Sequence, residues 1–441
     1  MYKIFNIIYL LCCSLIINAQ EVWSLEDCID RAVSENLNIK KQQLTSKVSS
    51  NLFKQSRLEL LPSINTFASK GYYFGRSVNP ATNDYIEENI VTGDISVVAG
   101  VTIFNGFQKI NTIRKYSLEK KASDYDINTI INNISLNVAN AFLQVLFAKD
   151  LVTVNQQQLE VIRLQVEKTR KMVDVGKFAK GNLLEVESQQ AAEELELINV
   201  QNQLDASYLN IRQLLEINPD TPFTIASPNI VVPSIIEFPS TAEIFQVACN
   251  IFPEIKSAEL QFQSSKLDLL IAKGKLSPKL SVNTAVSTNY TNIYNTPIIN
   301  RSIKDQAQDN LRKSVNFSLE IPIFNNWYVN TAIQNSKIYV SDASYNLLQR
   351  KNELRKKIEQ ARADVLAAKK QYDYARKTYD AFQEVFKYTA QKYNLGLVST
   401  YEYNDSKTKL NTAESELIRS KYDYIFKIKI IDFYMGEKLN L

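Results

Sequence analysis

The side chains that usually carry enzyme chemistry are scarce in this chain. The sequence has no histidine, which removes the commonest general base and the commonest metal ligand. It contains no nucleophile elbow, no phosphate-binding loop and no residues at metal-ligand spacing. Only 10 of its 441 residues are glycine, which argues against a loop-rich catalytic fold. We therefore predict that the protein is not an enzyme and that it holds neither a metal ion nor another cofactor.

The N-terminal residues 1–19 have the pattern of a secretory signal peptide. Lys3 supplies positive charge, an apolar segment follows, and Ala19 ends a plausible cleavage site. A transmembrane anchor is the alternative, although the apolar run is short for a membrane span. The mature protein would keep two cysteines, Cys28 and Cys249. The sequence leaves open whether they form one disulfide or remain as buried thiols.

The charges of the chain are balanced and mixed along its length. The net charge is +4, from 51 Lys and Arg against 47 Asp and Glu, and no basic block suggests a nucleic-acid partner. The mature sequence has no run of 18 consecutive apolar residues, so it predicts no transmembrane helix.

The second half of the sequence repeats the first with an offset of 220 residues. A valine or leucine recurs every seventh residue from Val138 to Val173, and an apolar residue stands at each matching position from Ile358 to Tyr393. A heptad pattern kept over six repeats predicts a long supercoiled helix. Finding it twice predicts a tandem structural repeat, each copy with a helix about 100 Å long.

A change of pattern follows Pro62 in the first copy and Pro278 in the second. There the helical period gives way to alternation, which predicts four strands at residues 63–74, 94–104, 279–290 and 314–324. Three of the strands have one apolar face and one small, polar face, whereas residues 63–74 alternate less well. Aromatic residues gather at the strand ends. These features are typical of a transmembrane β-barrel, with a soluble antiparallel sheet as the alternative.

These elements divide the chain into two copies of one plan. The predicted domains are a first repeat at 20–217, with a β-hairpin at 63–104 and a helical hairpin at 110–216; a proline-rich linker at 218–239; and a second repeat at 240–436, with a β-hairpin at 279–324 and a helical hairpin at 330–434.

Four strands cannot close a barrel, and an open sheet edge cannot lie in lipid, so the chain must oligomerise. Two chains would give eight strands, whose interior is filled by side chains, whereas three chains give twelve strands and room for water. The predicted fold class is therefore mixed. A long α-helical coiled-coil barrel continues into a transmembrane β-barrel with four strands per chain and twelve in a homotrimer. For the heptads alone, a simple two-stranded coiled coil is the alternative.

In this order of elements the chain resembles the TolC family of outer-membrane efflux proteins, or outer membrane factors. The resemblance covers nearly the whole mature chain, including a valine- or leucine-glycine turn within each helical hairpin. The turns read Asp174-Val175-Gly176-Lys177 and Asn394-Leu395-Gly396-Leu397. In the family these turns lie at the periplasmic tip and dock a membrane-fusion adaptor. The resemblance implies that role for Val175, Gly176, Lys177, Leu395, Gly396 and Leu397, and a helix-capping role for the glycines is compatible with it.

The family also narrows its periplasmic mouth with rings of carboxylates, six and nine residues after the second glycine. Here those positions hold Glu402 and Asp405, and the matching positions of the first copy hold Asn182 and Glu185. The resemblance implies a gate that attracts cations. The alternative is that these acids simply favour the positive end of a helix.

The resemblance thus implies a homotrimeric exit duct in the outer membrane that extends into the periplasm. It would passively conduct substrates in a tripartite efflux or type I secretion system, in contact with outer-membrane lipid. Its partners would be a periplasmic membrane-fusion adaptor and an inner-membrane pump of the RND or ABC type. A periplasmic coiled-coil adaptor is the alternative function, although adaptors normally have a single helical hairpin and glycine-rich segments.

Overall fold

The computed structural model describes residues 22–78, 83–87, 89–218, 221–228, 230–233, 238–293 and 301–440. The predicted signal peptide at 1–19 lies outside this range, as do residues 219, 220, 229 and 234–237 of the predicted linker. Helices dominate the described chain. They are α1 (Leu25–Glu35), α2 (Leu37–Leu58), α3 (Gln108–Asp174), α4 (Lys180–Leu214), α5 (Thr241–Ile251), α6 (Pro253–Gly274), α7 (Ile303–Asp309), α8 (Tyr328–Asn394) and α9 (Thr400–Tyr434).

The strands form three small groups. One four-stranded antiparallel sheet has the order β2-β5-β7-β8, and two pairs, β1 with β6 and β3 with β4, stand apart from it. The strands are β1 (Val22–Trp23), β2 (Ser63–Tyr73), β3 (Arg76–Val78), β4 (Tyr85–Glu87), β5 (Ile90–Asn105), β6 (Thr224–Ile225), β7 (Lys279–Ile293) and β8 (Arg312–Glu320).

The chain divides into two compact units, and each takes segments from both predicted repeats. The first unit comprises Met1–Gln43, Asp126–Ile255 and Arg350–Leu441, and the second comprises Leu44–Tyr125 and Lys256–Gln349. The repeats are therefore defined by the sequence and do not coincide with the compact units. Each compact unit combines matching segments of the two repeats.

The first unit is built on the heptad positions of the long helices. Val138 and Val145 of α3 are fully buried, and so are Ile358 and Val365 at the matching positions of α8. Around the α3 positions lies a core that takes side chains from α1, the end of α4, β6 and α9. The heptad rows thus form the buried face that their spacing predicts.

Both short entry helices begin with the same capping arrangement. Ser24 accepts a hydrogen bond from the backbone N–H of Asp27, whose carboxylate accepts one from the N–H of Ser24, and these bonds make a capping box. Ser240 and Glu243 repeat this arrangement at the start of α5. The hydrogen bonds from Ser24 lower the pKa of the Asp27 carboxyl group.

The second unit contains the four-stranded sheet, whose alternation separates two faces. Val97 of β5 lies beside Val286 of β7, and Ser281 of β7 lies beside Ser318 of β8. The first pair belongs to an apolar face and the second to a polar face, because successive side chains of a strand point to opposite sides.

The last strand is shorter than the predicted range 314–324. It ends at Glu320 because Pro322 has no N–H to donate to a ladder. In β5 the pairing with β7 shifts between Thr102 and Phe104, so Ile103 is the extra residue of a bulge and does not continue the apolar row.

Three local elements are absent from the sequence-based prediction. The strands β3 and β4 form a small antiparallel pair, and α7 lies between the third and fourth predicted strands. The parallel pair of β1 and β6 joins the N-terminal segment to the predicted linker, with the N–H of Ala226 donating to Trp23 O over 2.8 Å.

Matching turns lead from the sheet into the long helices. Gly106 and Phe107 have φ values of 66° and 61°, and Asn326 and Trp327 have values of 51° and 66°. Two successive left-handed residues, one of them bulky, are unusual, and their presence in both copies supports a shared architecture at this turn. Gly106 also lies so close to the carbonyl group of Gly274 that a side chain at either glycine would clash.

Within the described residues, one helix is long and apolar enough by composition to cross a membrane. This helix is α3, and half of the apolar stretch is buried inside the protein. Such burial is the arrangement of a core helix and is weak evidence for a membrane span.

The two mature cysteines do not form a disulfide. Cys28 is fully buried in the core of the first unit, whereas Cys249 is half-buried. Burial, and to a lesser extent the charge of Asp27, raises the pKa of the Cys28 thiol to about 12.

We predict that N-ethylmaleimide modifies Cys249 well before Cys28 in the folded mature protein at pH 8. The thiolate is the reacting species, and Cys28 is both inaccessible and protonated at this pH. Mass spectrometry of digested samples would give the two rates, with unfolded protein as the control in which both cysteines react. Equal rates in the folded protein would contradict the buried position of Cys28.

Candidate functional site

The turn between α3 and α4 and the turn between α8 and α9 have the same backbone structure. In the first, the N–H of Lys177 donates to Met172 O over 2.8 Å and the N–H of Gly176 donates to Val173 O over 2.9 Å. In the second, Leu397 and Gly396 make the same bonds to residues five and three positions earlier. This pair of bonds is the Schellman motif that ends a helix.

Conformation explains the glycine in each turn. Gly176 and Gly396 have φ values of 71° and 75°, in the left-handed region that other residues rarely adopt. A methyl group added at either position would meet no atom within 4 Å, so the space around the glycine does not require it. The capping role is therefore directly visible, and the space at each turn is open.

Apolar side chains project from these turns. The exposed fractions are 68% for Val175, 74% for Leu395 and 70% for Leu397, and Lys177 is exposed as well. Each turn thus offers one or two uncovered apolar side chains beside the glycine, and only the first turn adds a positive charge.

The predicted gate acids of the second copy stand at the start of α9. Ser399 caps this helix, and its hydroxyl accepts a hydrogen bond from the N–H of Glu402 over 3.2 Å. Glu402 and Asp405 are both exposed, and three residues apart they share one face of the helix. Acids in the first turn also favour the helix dipole, so the alternative structural role remains compatible with a gate.

A lysine that the sequence analysis missed faces one of these acids. Lys409 Nζ lies 2.7 Å from Asp405 Oδ2, one helical turn later, and this hydrogen bond raises the pKa of Lys409. Both side chains are exposed, so the pair contributes little to stability. Its consequence is electrostatic, because Asp405 is partly neutralised while Glu402 has no paired cation among the described residues.

The matching residues of the first copy are less exposed. Asn182 and Glu185 lie in the first turns of α4, and both are half-buried. No hydrogen bond or ion pair within the described chain joins them to Glu402 or Asp405. The structure therefore brings two acids together on α9, places one acid and one amide on α4 and, in the part of the chain that it describes, shows no bond between these two pairs.

An aromatic cluster holds one face of α9 against α8, and the exposed acids of α9 lie on another face. The rings of Tyr393 and Tyr403 lie 4.7 Å apart, and Phe386 and Phe178 pack against them at 5.4 Å and 6.3 Å. Tyr403 is buried while its neighbour Glu402 is exposed, because adjacent positions of a helix point in different directions. Burial raises the pKa of Tyr403.

A buried polar contact joins α9 to α4 farther from the turn. The side chain of Glu193 is only 7% exposed and accepts hydrogen bonds from Gln189 over 3.1 Å and from Asn411 over 3.2 Å. Lys407 of α9 is 4% exposed, and its ammonium group has no hydrogen-bond partner in the described structure. Burial lowers the pKa of Lys407, and the charge of Glu193 partly opposes this shift.

The described residues contain no group of three or more His, Cys, Asp or Glu side chains placed to hold a metal ion. The arrangement offers instead exposed acids, uncovered apolar tips and a buried hydrogen bond from Asn411 to Glu193 that joins two helices. These features suit recognition and movement of helices.

We predict that Glu193→Gln destabilises the protein more than Lys407→Met. The first change leaves a buried ammonium group without its opposite charge and should cost on the order of 1–3 kcal/mol in the free energy of unfolding. The second removes an ammonium group that has no hydrogen bond among the described residues, and the Glu193 carboxylate keeps its hydrogen bonds from Gln189 and Asn411, so this change should cost less. Thermal unfolding followed by circular dichroism at pH 7 would compare the two variants with the wild type.

The same pair predicts a pH dependence. The pKa of Lys407 is lower in the folded chain than in the unfolded chain, so between these two pKa values the unfolded chain binds more protons than the folded chain. The free energy of unfolding of the wild type therefore rises, relative to that of Lys407→Met, as the pH rises towards 10. A larger loss for Lys407→Met than for Glu193→Gln at pH 7 would contradict this account.

Comparison with known proteins shows one consistent relationship. Residues 28–216 and 246–428 each match the family described as outer membrane efflux protein. The outer membrane protein TolC of Salmonella enteritidis is 20% identical over 420 residues, which cover 94% of this chain and 82% of TolC.

Solved structures of outer-membrane channels share the fold. The channel CusC superposes with a TM-score of 0.79 at 15% identity and covers 96% of both chains. The CmeC outer membrane channel of Campylobacter jejuni gives a TM-score of 0.74 at 15% identity, over 93% of this chain and 85% of CmeC. Since the family match spans most of the sequence, the chain belongs to the outer membrane efflux protein family and is a protein of the outer membrane.

Proposed function

We propose that the protein is the passive exit duct of an efflux or secretion system and that three copies form one channel. The observation that carries this proposal is the pair of unpaired edges in the four-stranded sheet. The strands β2 and β8 each pair on one side only, and their side chains are exposed along almost their whole length. An unpaired backbone group costs several kcal/mol in lipid, so another chain must cover these edges.

A ring of chains satisfies both edges at once. The β8 edge of one copy pairs with the β2 edge of the next, and three copies with four strands each make a closed barrel of twelve strands. A barrel of this size leaves space for water, which a closed ring of eight strands would not.

The exposed side chains of the sheet support contact with outer-membrane lipid. Ile64, Val315 and Phe317 are between 62% and 75% exposed on the apolar face. Exposed aromatic residues stand at or near both ends of the sheet strands, as in the interfacial girdles of membrane barrels. They are Tyr72, Tyr73, Phe74 and Tyr85 at one end, and Phe104, Phe107, Phe324, Trp327 and Tyr328 at the other.

The long helices form the periplasmic part of the proposed duct. Helices α3 and α8 have 67 residues each, about 100 Å at the rise of an α-helix. The apolar side chains exposed at their tips, Val175, Leu395 and Leu397, together with Gly176, Lys177 and Gly396, dock a periplasmic membrane-fusion adaptor. An inner-membrane pump of the RND or ABC type supplies the energy, so the duct itself catalyses no reaction.

Carboxylates narrow the periplasmic mouth of the proposed duct. In a trimer, Glu402 and Asp405 provide six carboxylates near one axis, and Asn182 and Glu185 line the same level. Lys409 reduces the charge at Asp405, so Glu402 provides most of the cation attraction. Opening moves the helical tips apart when the adaptor binds.

The conductance of the mature protein in a planar bilayer tests both the duct and the gate. We predict a small cation-selective current that grows in Glu402→Ala/Asp405→Ala, because the charge and bulk of the constriction are removed. Lys409→Gln should increase the cation selectivity, since it frees the charge of Asp405.

Glu416→Ala/Asp423→Ala is the matched control, with two acids removed from the same helix farther from the tip. Its current should equal that of the wild type. A current that the gate substitutions leave unchanged would retain the duct and discard the gate. Folded protein that neither inserts nor conducts would discard the duct and favour a periplasmic adaptor.

A further inference from the structure

A cavity of about 850 Å³ lies at the base of the sheet, within the second unit. It is bounded by the end of α2, the first residues of β2 and β7, and the last part of β5. The proposed gate and docking tips lie elsewhere in the chain.

The cavity opens on the polar face of the sheet. Its strand residues include Ser63, Gly100 and Ser281, which lie on the face opposite Val97 and Val286. In the proposed barrel the apolar face contacts lipid, so the cavity faces the water-filled lumen.

Positive charge dominates the lining. Lys54, Lys109 and Lys279 border the cavity, whereas Glu59 is the one carboxylate among its lining residues. The ammonium group of Lys109 donates a hydrogen bond to the backbone oxygen of Glu59 over 2.6 Å, which leaves its charge uncompensated. Lys279 is 4.0 Å from Glu320, outside the cavity, and both side chains are well exposed.

Amide and hydroxyl groups complete the polar lining. A side chain at Gly100 would lie 2.7 Å from Asn283 Oδ1, so the glycine makes room for the amide of Asn283 across the strand. Hydroxyl groups of Thr102 and Ser281 stand beside it, and the hydroxyl of Ser63 donates to the backbone oxygen of Gly100 over 3.5 Å. Such groups donate hydrogen bonds to oxygen atoms of an anion.

Apolar side chains form the rest of the wall. Leu58 and Leu61 line the cavity and are 53% and 61% exposed, so an apolar surface remains uncovered next to the lysines. A ligand that satisfies both surfaces has an anionic group and an apolar body.

We propose that this cavity binds organic anions, such as aromatic sulfonates or carboxylates, as they pass through the lumen. This inference rests on the proposed duct and specifies a class of cargo for it. Three lysines per chain in a narrow aqueous space raise the local concentration of anions by about tenfold or more. The uncovered leucines hold the apolar body of the cargo, so small inorganic anions bind less well.

Block of the single-channel current by naphthalene-2-sulfonate tests the proposal. The probe is added on the side of the bilayer that faces the strand loops, and the reference is chloride at the same concentration. The wild type should show brief, concentration-dependent blocks. Lys54→Gln/Lys109→Gln/Lys279→Gln should need about tenfold more probe for the same block, because its cavity has lost the attracting charge.

Two further variants distinguish a site from a general effect of charge. Replacement of the same three residues by arginine should keep the block. Lys47→Gln/Lys121→Gln/Lys337→Gln removes three exposed lysines of the same unit that do not line the cavity, and it should behave as the wild type.

The outcomes separate the two proposals. Channels that conduct but are not blocked, or that are blocked equally in the glutamine and wild-type forms, would overturn the anion site and leave the duct intact. Equal loss of block in the control variant would also overturn it. If no form of the folded protein conducts, the duct itself fails and the anion site fails with it.

Discussion

The backbone hydrogen bonds at the two free edges of the sheet are the constraint on which the assembly depends. The strands β2 and β8 have 11 and 9 residues, and each has one paired and one open side. Water could satisfy these groups on a soluble protein, but lipid could not. In the proposed barrel the apolar face of the sheet contacts lipid, so its edges must be closed by other copies.

The two sequence repeats share the sheet equally, because each contributes one pair of antiparallel strands. The turns that leave the sheet have the same left-handed pair of residues in both copies, and the turns at the tips have the same Schellman motif. Differences between the copies concentrate on side chains. Lys177 replaces the leucine of the second tip, and the half-buried pair of Asn182 and Glu185 stands where the second copy exposes two acids.

Regular patterns in the sequence predicted the long helices and the sheet strands, because heptads and alternation extend over many residues. The ends of elements were less predictable. Pro322 stops β8 before the apolar alternation ends, and the bulge at Ile103 changes the face of one residue. The pair of β1 and β6 joins segments about 200 residues apart through two short strands, too few residues for any period to appear.

The candidate site was predictable only in part. Glu402 and Asp405 stay predictions, implied by the family resemblance through their distance from Gly396. The spacing of four residues from Asp405 to Lys409 was a readable signal of an ion pair. The hydrogen bond between Asn411 and Glu193, and the lysines around the cavity, bring together segments far apart in sequence. Their proximity depends on tertiary structure that a local pattern does not encode.

The most direct test of the central claim is the number of chains in one channel, measured by native mass spectrometry of the mature protein released from lipid nanodiscs. Closure of the sheet edges by a ring of twelve strands predicts a complex of three chains. A complex of one or two chains that remains folded in the bilayer would contradict the account, because four or eight strands would not form the open barrel proposed here.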